Sequence, residues 1–487
     1  MMKRLCLFVC LSMGAAPAFA QLENLDRFER QLEQINRDIR LKVDTDVPAG
    51  QRALIDYGVY ATFGFLAIDD PLQNTHILRQ TDINAYVRIN VDDAHEFYMR
   101  VLQRFTDWNT GDSFDGNDED TVEAQFERIH YRFDLAKARE AYDGESINYN
   151  FVIQGGRQLV HWANGLALSQ VLDGGSIVLS CENISLELMA GATRPSSVDF
   201  DPSRPGFAGD THRDFYGAKL ELQTLPEHRI FVYALKQHDS NHNSLLITDP
   251  IPGPIGDEFG TAFEYNSHYI GIGSTGNLGD RVLYSTEFVL QGGDSNSTSV
   301  ISAGGFAVPV AQTQDDIDAY AFDIKIEYLA DDSKRTRATL ELLVASSDDD
   351  RLHTSATFGG NLPGTDDQAF NGFGLINTGL AFSPVASNLV MVRGGVSAFP
   401  MRSSELFKNM QVGIDVFLFH KEDKNAPIDE LTKMKSFLGT EADLFMNWQV
   451  TSDMSVVVRY GVFFPGSAIV TDKDPRHFLY TGITLGL

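Results

Sequence analysis

The chain runs to 487 residues and carries a formal net charge of −28. That acidity argues against nucleic acid as a partner, which needs a basic patch. Of its three cysteines, Cys6 and Cys10 fall in the first ten residues, so the body of the chain holds only Cys181 and can form no internal disulfide.

Residues 1–20 read as a signal peptide. Lys3 and Arg4 open it, residues 5–16 form an apolar stretch, and Ala18-Phe19-Ala20 supplies the small residues a signal peptidase recognises. The expected cut falls between Ala20 and Gln21, which removes two positive charges. The apolar stretch is too short to cross a bilayer as a helix, and no later run reaches that length. No cysteine follows the cut closely, which disfavours a lipoprotein. No linker or long-period repeat divides the rest.

Residues 21–49 read as an N-terminal periplasmic helix and linker. Leu22, Leu25, Phe28, Leu32, Ile35 and Ile39 recur at spacings of three and four, which predicts a helix over 22–41. It either packs on the end of the following domain or on itself, or it serves as a docking handle for a periplasmic export protein or as a pore plug.

Over residues 50–487 the period becomes two. Ala53, Ile55, Tyr57, Val59, Ala61, Phe63, Phe65 and Ala67 share one face, and Asp56, Gly58, Thr62 and Gly64 lie on the other. The alternation returns at 322–328, 338–344, 442–450 and 456–464. In a soluble sandwich the apolar face turns inward; in a membrane barrel it turns outward to lipid. The opposite faces carry Arg, Tyr, Asn, Gly and single acids, which suits a crowded, water-filled lumen. Strands are predicted at 53–67, 79–91, 95–107, 123–135, 148–158, 176–182, 184–194, 213–224, 229–239, 265–275, 280–292, 317–330, 335–347, 388–399, 409–421, 439–450, 455–465 and 477–487. The fold class is all-β: a single transmembrane antiparallel β-barrel of about 18 strands.

Connection lengths test this independently, because outer-membrane barrels alternate short periplasmic turns with long outer loops. The connections 92–94, 225–228, 276–279, 330–334 and 451–454 are short. Those at 108–122, 195–212, 240–264, 293–316, 348–387 and 422–438 are long and polar. The segment 136–147 breaks the rule, 400–408 is intermediate, and a single residue separates the strands at 176–182 and 184–194. The last strand, with Gly482 inside it and Leu485 and Leu487 on one face, resembles the signal read by the barrel assembly machinery. An exposed apolar edge of this kind is rare in soluble domains.

Several stretches carry a family resemblance. Gly155-Gly156-Arg157-Gln158 resembles a Gly-Arg-Gln strand end, and residues 228–239 (HRIFVYALKQHD) resemble the strand after a central short turn. Residues 318–328 (DAYAFDIKIEY) match a strand with an inward Asp. Residues 439–444 resemble a Gly-x-Glu-x-Asp-Leu strand start, and 459–466 (RYGVFFPG) a penultimate strand. In this order and spacing they resemble the alginate-export family of outer-membrane porins. The resemblance implies an eighteen-stranded barrel, integral to the bacterial outer membrane, that passes an anionic polysaccharide. The helix at 22–41 has no counterpart in the family's prototype. The turn 451–454 is short where the prototype has a pore-occluding periplasmic loop, so any gate must lie elsewhere.

Alternation predicts which charges line the lumen. The cations are Arg88, Arg100, Arg104, Arg128, Arg132, Lys219, Lys325, Arg337, Arg393 and Arg459. The acids are Glu221, Glu287, Asp323, Glu327, Glu341, Asp415, Glu441 and Asp443. The family match adds Arg157, although alternation puts it on the face of Phe151 and Ile153; a bulge near Gly155 would turn it inward. These charges form either a balanced wall of ion pairs or a carboxylate-selective path, since guanidinium pairs with carboxylate in a two-pronged geometry. Passive diffusion of small solutes is the alternative to polysaccharide export. An enzyme is disfavoured: there is no nucleophile elbow, no His-Glu-x-x-His and no phosphate-binding Gly loop. His238 and His242 lie four apart with no third ligand. No cofactor is expected beyond weak Ca²⁺ ligation by acidic outer loops at Asp112, Asp115, Asp118, Glu119 and Asp120 and at Asp348, Asp349 and Asp350. The expected partners are outer-membrane lipid and lipopolysaccharide, together with the assembly machinery.

Overall fold

Backbone groups inside a bilayer must pair with one another, and a closed barrel achieves this without a free edge. The computed structural model describes residue 48 and residues 51–486, except 114–117, 195, 208, 210, 226, 242–243, 248–258, 304–305, 358–359 and 472. The expected helix 22–41, the cut at Ala20 and Gln21, Asp115, His242 and Leu487 lie outside the described residues.

In chain order the strands are β1 (Ala53–Asp69), β2 (Thr75–Val91), β3 (His95–Trp108), β4 (Glu119–Asp134), β5 (Tyr149–His161), β6 (Ser169–Cys181), β7 (Ile184–Thr193), β8 (Arg213–Leu225), β9 (His228–Asp239), β10 (Ser244–Ile247) and β11 (Phe259–Ala262). Then follow β12 (Tyr265–Asn277), β13 (Val282–Asn296), β14 (Val300–Ala303), β15 (Phe306–Pro309), β16 (Gln314–Leu329), β17 (Arg337–Ala345), β18 (Leu389–Ala398), β19 (Met410–His420), β20 (Phe437–Gln449), β21 (Met454–Pro465) and β22 (Arg476–Gly486). Eighteen of them form one antiparallel sheet, while β10 with β11 and β14 with β15 make two small hairpins apart from it. The sheet closes where β1 meets β22, with Ala61 opposite Leu485 and Gly64 opposite Gly482.

Alternation holds around the ring. Ile55, Tyr57, Ile270, Ile272, Leu340 and Leu444 are exposed on the outer face, where they can meet acyl chains. At one end the strands join through tight turns such as 92–94, where Asp92 and Asp93 both take positive φ. The segment 136–147 departs from that rule because it holds a helix, α1 (Leu135–Tyr142), whose N-terminus is capped by Asp134 accepting from the Lys137 N–H. The other end carries the long connections.

β6 begins at Ser169, seven residues before the predicted start. Gly174 and Gly175 lie inside the strand, and a Cβ on Gly174 would come within 2.2 Å of Ala190 O. Glycine there permits a close approach between strands; it does not end one.

The largest apolar cluster lies inside the barrel. Two connections, 162–168 and 346–388, fold inward and pack Trp162, Leu166, Phe370 and Phe373 against inner-face residues such as Phe215, Tyr233, Phe417 and Phe463. They also pair with each other: Ser169 N donates to Phe373 O at 2.8 Å and Leu375 N to Gly165 O at 2.8 Å.

Candidate functional site

The candidate site is the lumen. Its charged groups come from every second residue of each strand, so the period-two pattern itself aims them inward. On β2, β3 and β4 the inner face is polar almost throughout. Arg104 grips Asp82 with two bonds of 2.9 and 3.0 Å. Arg100 donates to Glu127 at 2.6 Å and Arg132 to Asp134 at 2.8 Å. Arg88 lies over the Tyr98 ring at 5.2 Å, and Arg128, which is buried, stands opposite Arg100.

Elsewhere most of the cations are held by acids of the same or a neighbouring strand. Lys219 lies between Glu187 at 3.1 Å and Glu221 at 3.2 Å. Arg393 bridges Glu341 at 2.8 Å and Asp415 at 3.1 Å. Lys325 and Arg337 both approach Glu327 at 3.9 Å. Arg459 donates to Asn447 Oδ1 at 2.7 Å and to the carbonyls of Met446 and Val458, with its guanidinium over Phe445.

Arg157 is the exception. The β5 ladders run without a break through Gly155, opposite both β4 and β6. There is no bulge to turn the side chain, so Arg157 stays on the outer face with Phe151 and Ile153. It is bound twice to Asp173, at 2.6 and 2.7 Å. The expectation that Arg157 faces the lumen is corrected by this register.

Two of the inward acids do something alternation could not reveal: they hold the inserted loops. Glu441 is almost wholly buried, and its carboxylate accepts three consecutive backbone N–H groups, from Leu380 at 2.5 Å, Ala381 at 2.7 Å and Phe382 at 2.9 Å. Gly379, with φ of 92°, allows this approach, since a Cβ there would lie 2.7 Å from Glu441 Oε1. Glu287 accepts from Tyr233 Oη–H at 2.5 Å and Asn164 N–H at 2.9 Å. Asn164 also donates its side-chain amide to Asp323 at 2.6 Å. Asp443 lies beside Glu441 on β20, opposite Asp415. A carboxylate with several N–H donors is the arrangement that fixes a loop to a wall.

The inserted loops are braced above by further buried groups that sequence reading missed. Arg351 pairs with Asp367 at 2.8 Å, and Arg213 and Arg204 both bind Asp199. Tyr269 Oη–H donates to Asn371 O at 2.6 Å. Burial pushes the carboxyl of Asp201 up from its ordinary value even though Ser203 and Thr357 donate to it. A signal for this packing exists in the sequence: β9 and β19 are apolar on both faces, which a wall facing water has no reason to be.

The acidic outer loops brace themselves. Asp118 accepts from Gly111 N, Asp112 from Ile77 N, Asp348 from Gln368 N and Asp350 from Leu362 N. Among the described residues, no three His, Cys, Asp or Glu side chains come together as a metal-ion site. His238 points outward and pairs with Asn266.

A family model described as "Alginate export" matches residues 72–477. No curated protein matches the chain. Among solved structures, OccK5 (OpdH) of Pseudomonas aeruginosa is similar at 9% identity and a TM-score of 0.50, over 89% of this chain and 98% of that one. OccK11 (OpdR) of the same organism is similar at 12% identity and a TM-score of 0.48, over 92% and 100%. OccAB2 of Acinetobacter baumannii is similar at 10% identity and a TM-score of 0.48, over 89% and 98%.

Proposed function

Given that the chain belongs to the alginate export family and folds as an outer-membrane channel, we propose that its lumen conducts anions, with an anionic polysaccharide as the leading cargo. The observation that carries this reading is which partner of each inward ion pair faces the water. The Arg104 side chain is 24% exposed against 13% for Asp82, and Arg337 48% against 18% for Glu327. Lys325, Arg132 and Arg393 likewise stand above their acids; Arg100 and Lys219 reverse the order.

A carboxylate lying beneath a guanidinium holds it in place and leaves its outer N–H groups for a passing anion. In a narrow tube with low-dielectric walls such groups focus a positive field. Several weak sites in series let a polymer slide, whereas one tight site would trap it. Replacing Arg104 and Arg337 together by Glu should weaken block of single channels by uronate oligomers at least roughly tenfold, the scale of one charge-assisted hydrogen bond lost. Unchanged block would sink the proposal.

A second reading has an observation of its own. The inserted connections 162–168 and 346–388 occupy space beside the apolar inner wall, which favours small anions over a polymer. Block that strengthens with oligomer length supports polysaccharide passage, and block by monomers alone supports diffusion of small solutes. The outward apolar belt supports contact with lipid and lipopolysaccharide, and the segment 22–41, by its apolar spacing, is the proposed handle for a periplasmic export protein.

A further inference from the structure

One seam of the barrel is short. β4 and β5 pair only from Asp134 opposite Val152 to Ile129 opposite Arg157, six residues on each strand. Every other seam runs nine or more; the shortest of these include β1 with β22 and β17 with β18. At about 3.3 Å per residue and a tilt near 40°, six residues cover about 15 Å of an apolar band about 25 Å tall. Above Arg157, therefore, β4 and β5 share no backbone ladder, and unpaired peptide groups are costly in a membrane; there Phe126 of β4 is exposed while residues 158–160 of β5 are buried.

The cause lies in β4. Its pairing with β3 shifts register between Arg100 and Val101, and again between Leu102 and Arg104. Each shift adds a residue to β4, and bulges bend the strand that carries them. The ladder to β5 stops one residue below the first shift.

What crosses the gap is a side chain. Arg157, the last residue of β5 paired with β4, donates from Nη1 to Phe126 O at 2.7 Å, on the far side of the bulge. Its Nε and Nη2 are fixed by Asp173 of β6. In front of the gap, Phe126 is exposed on the outer face, and Ile153, opposite Phe133 in the paired part of the seam, is exposed below it. Behind it, on the lumen side of β3 and β4, Arg100 and Arg128 stand where the ladder ends, and Arg132, opposite Gln154, lies below them.

We propose that the β4–β5 seam is a lateral port, through which an anionic amphiphile passes its acyl chain between lumen and membrane while its headgroup rests on the Arg100, Arg128 and Arg132 wall. Arg157 and Asp173 form the clasp. The placement of the headgroup rests on the anion-conducting reading above; the port itself rests on the register alone. Apolar chain outside and guanidinium groups inside select one ligand chemistry, a long chain ending in a carboxylate or phosphate.

The test uses the full chain in lipid vesicles with hexadecanoate carrying a terminal diazirine, photolysed and mapped by mass spectrometry. Labels should concentrate on residues 119–128 and 158–161. Arg157→Ala and Asp173→Asn should each raise that labelling roughly tenfold, as expected for losing a charge-assisted hydrogen bond. Arg281→Ala, which removes an exposed pair with Asp331 elsewhere, should leave it unchanged. Even labelling around the belt of the unaltered protein, as strong at Ile272 and Leu340 as at Phe126, overturns the port whether or not the variants fold. Seam labelling in a pore that proves cation-selective upholds the port and sinks the anion-conducting reading alone.

Discussion

The inner walls of β2–β4 and of β9 and β19 obey different rules. On β2–β4 most inward residues are polar, Arg, Asp, Asn, Tyr and Gln among them, and most outward ones are apolar, as a wall between water and lipid requires. On β9 and β19 both faces are apolar: Phe231, Tyr233, Phe417 and Phe419 are buried inward while Val232 and Leu418 are exposed outward. There the inner face meets protein, because the connections 162–168 and 346–388 have folded into the barrel. The same fold thus carries a wet, charged wall and a dry one, and the acids on the dry side serve as anchors for loops.

The sharpest way to break this contrast is to cut an anchor. Glu441→Ala should free the 346–388 loop from three N–H···carboxylate bonds, each worth about 1.5–3 kcal/mol. Single-channel conductance should rise severalfold, and unchanged conductance would mean that the loop is held by its apolar packing. On the wet wall, Arg104→Glu should leave conductance near that of the parent and move the reversal potential toward cations. A change of conductance without a change of selectivity would erase the distinction between the walls.

Acidity offers a gentler probe of the dry side. Burial raises the Asp348 carboxyl to about 6, with Asp350 and Asp367 nearby adding to the effect. A raised carboxyl favours the folded loop in its protonated form, so this contribution is complete below the ordinary value near 3.8 and is lost as pH rises through 6. Lowering the pH from 7 to 5 should therefore tighten the inserted loop and reduce conductance. Asp348→Asn should flatten that dependence, and a variant as pH-sensitive as the parent would assign the effect elsewhere. The smallest effect is expected at the foot of the wet wall: Asp134→Ala removes the α1 cap along with the carboxylate that Arg132 binds, and the lost cap should cost about 1 kcal/mol of stability, read as a small drop in melting temperature.

The barrel was legible because lipid imposes a period of two on every strand, and because tight turns and long loops alternate. The 53–67 alternation reappears as β1, and the single-residue gap predicted between 182 and 184 reappears as the turn joining β6 to β7 at 182–183. What the pattern could not show is what covers a face. Glu441 sits at an inward position, as alternation requires, but its partners are backbone N–H groups some sixty residues away. Arg157 teaches the converse. Its motif suggested the lumen, its parity suggested the outer face, and the unbroken ladder through Gly155 decided for parity. The α1 helix and the two outer hairpins were missed because short elements in loops have no long apolar period to announce them.

The most direct test of the account is the reversal potential of the unaltered protein in a planar bilayer under a potassium chloride gradient. The cation heads that stand above their acids along the inner wall predict a potential on the chloride side of zero. A potential on the potassium side would contradict the account, whatever the loops are found to do.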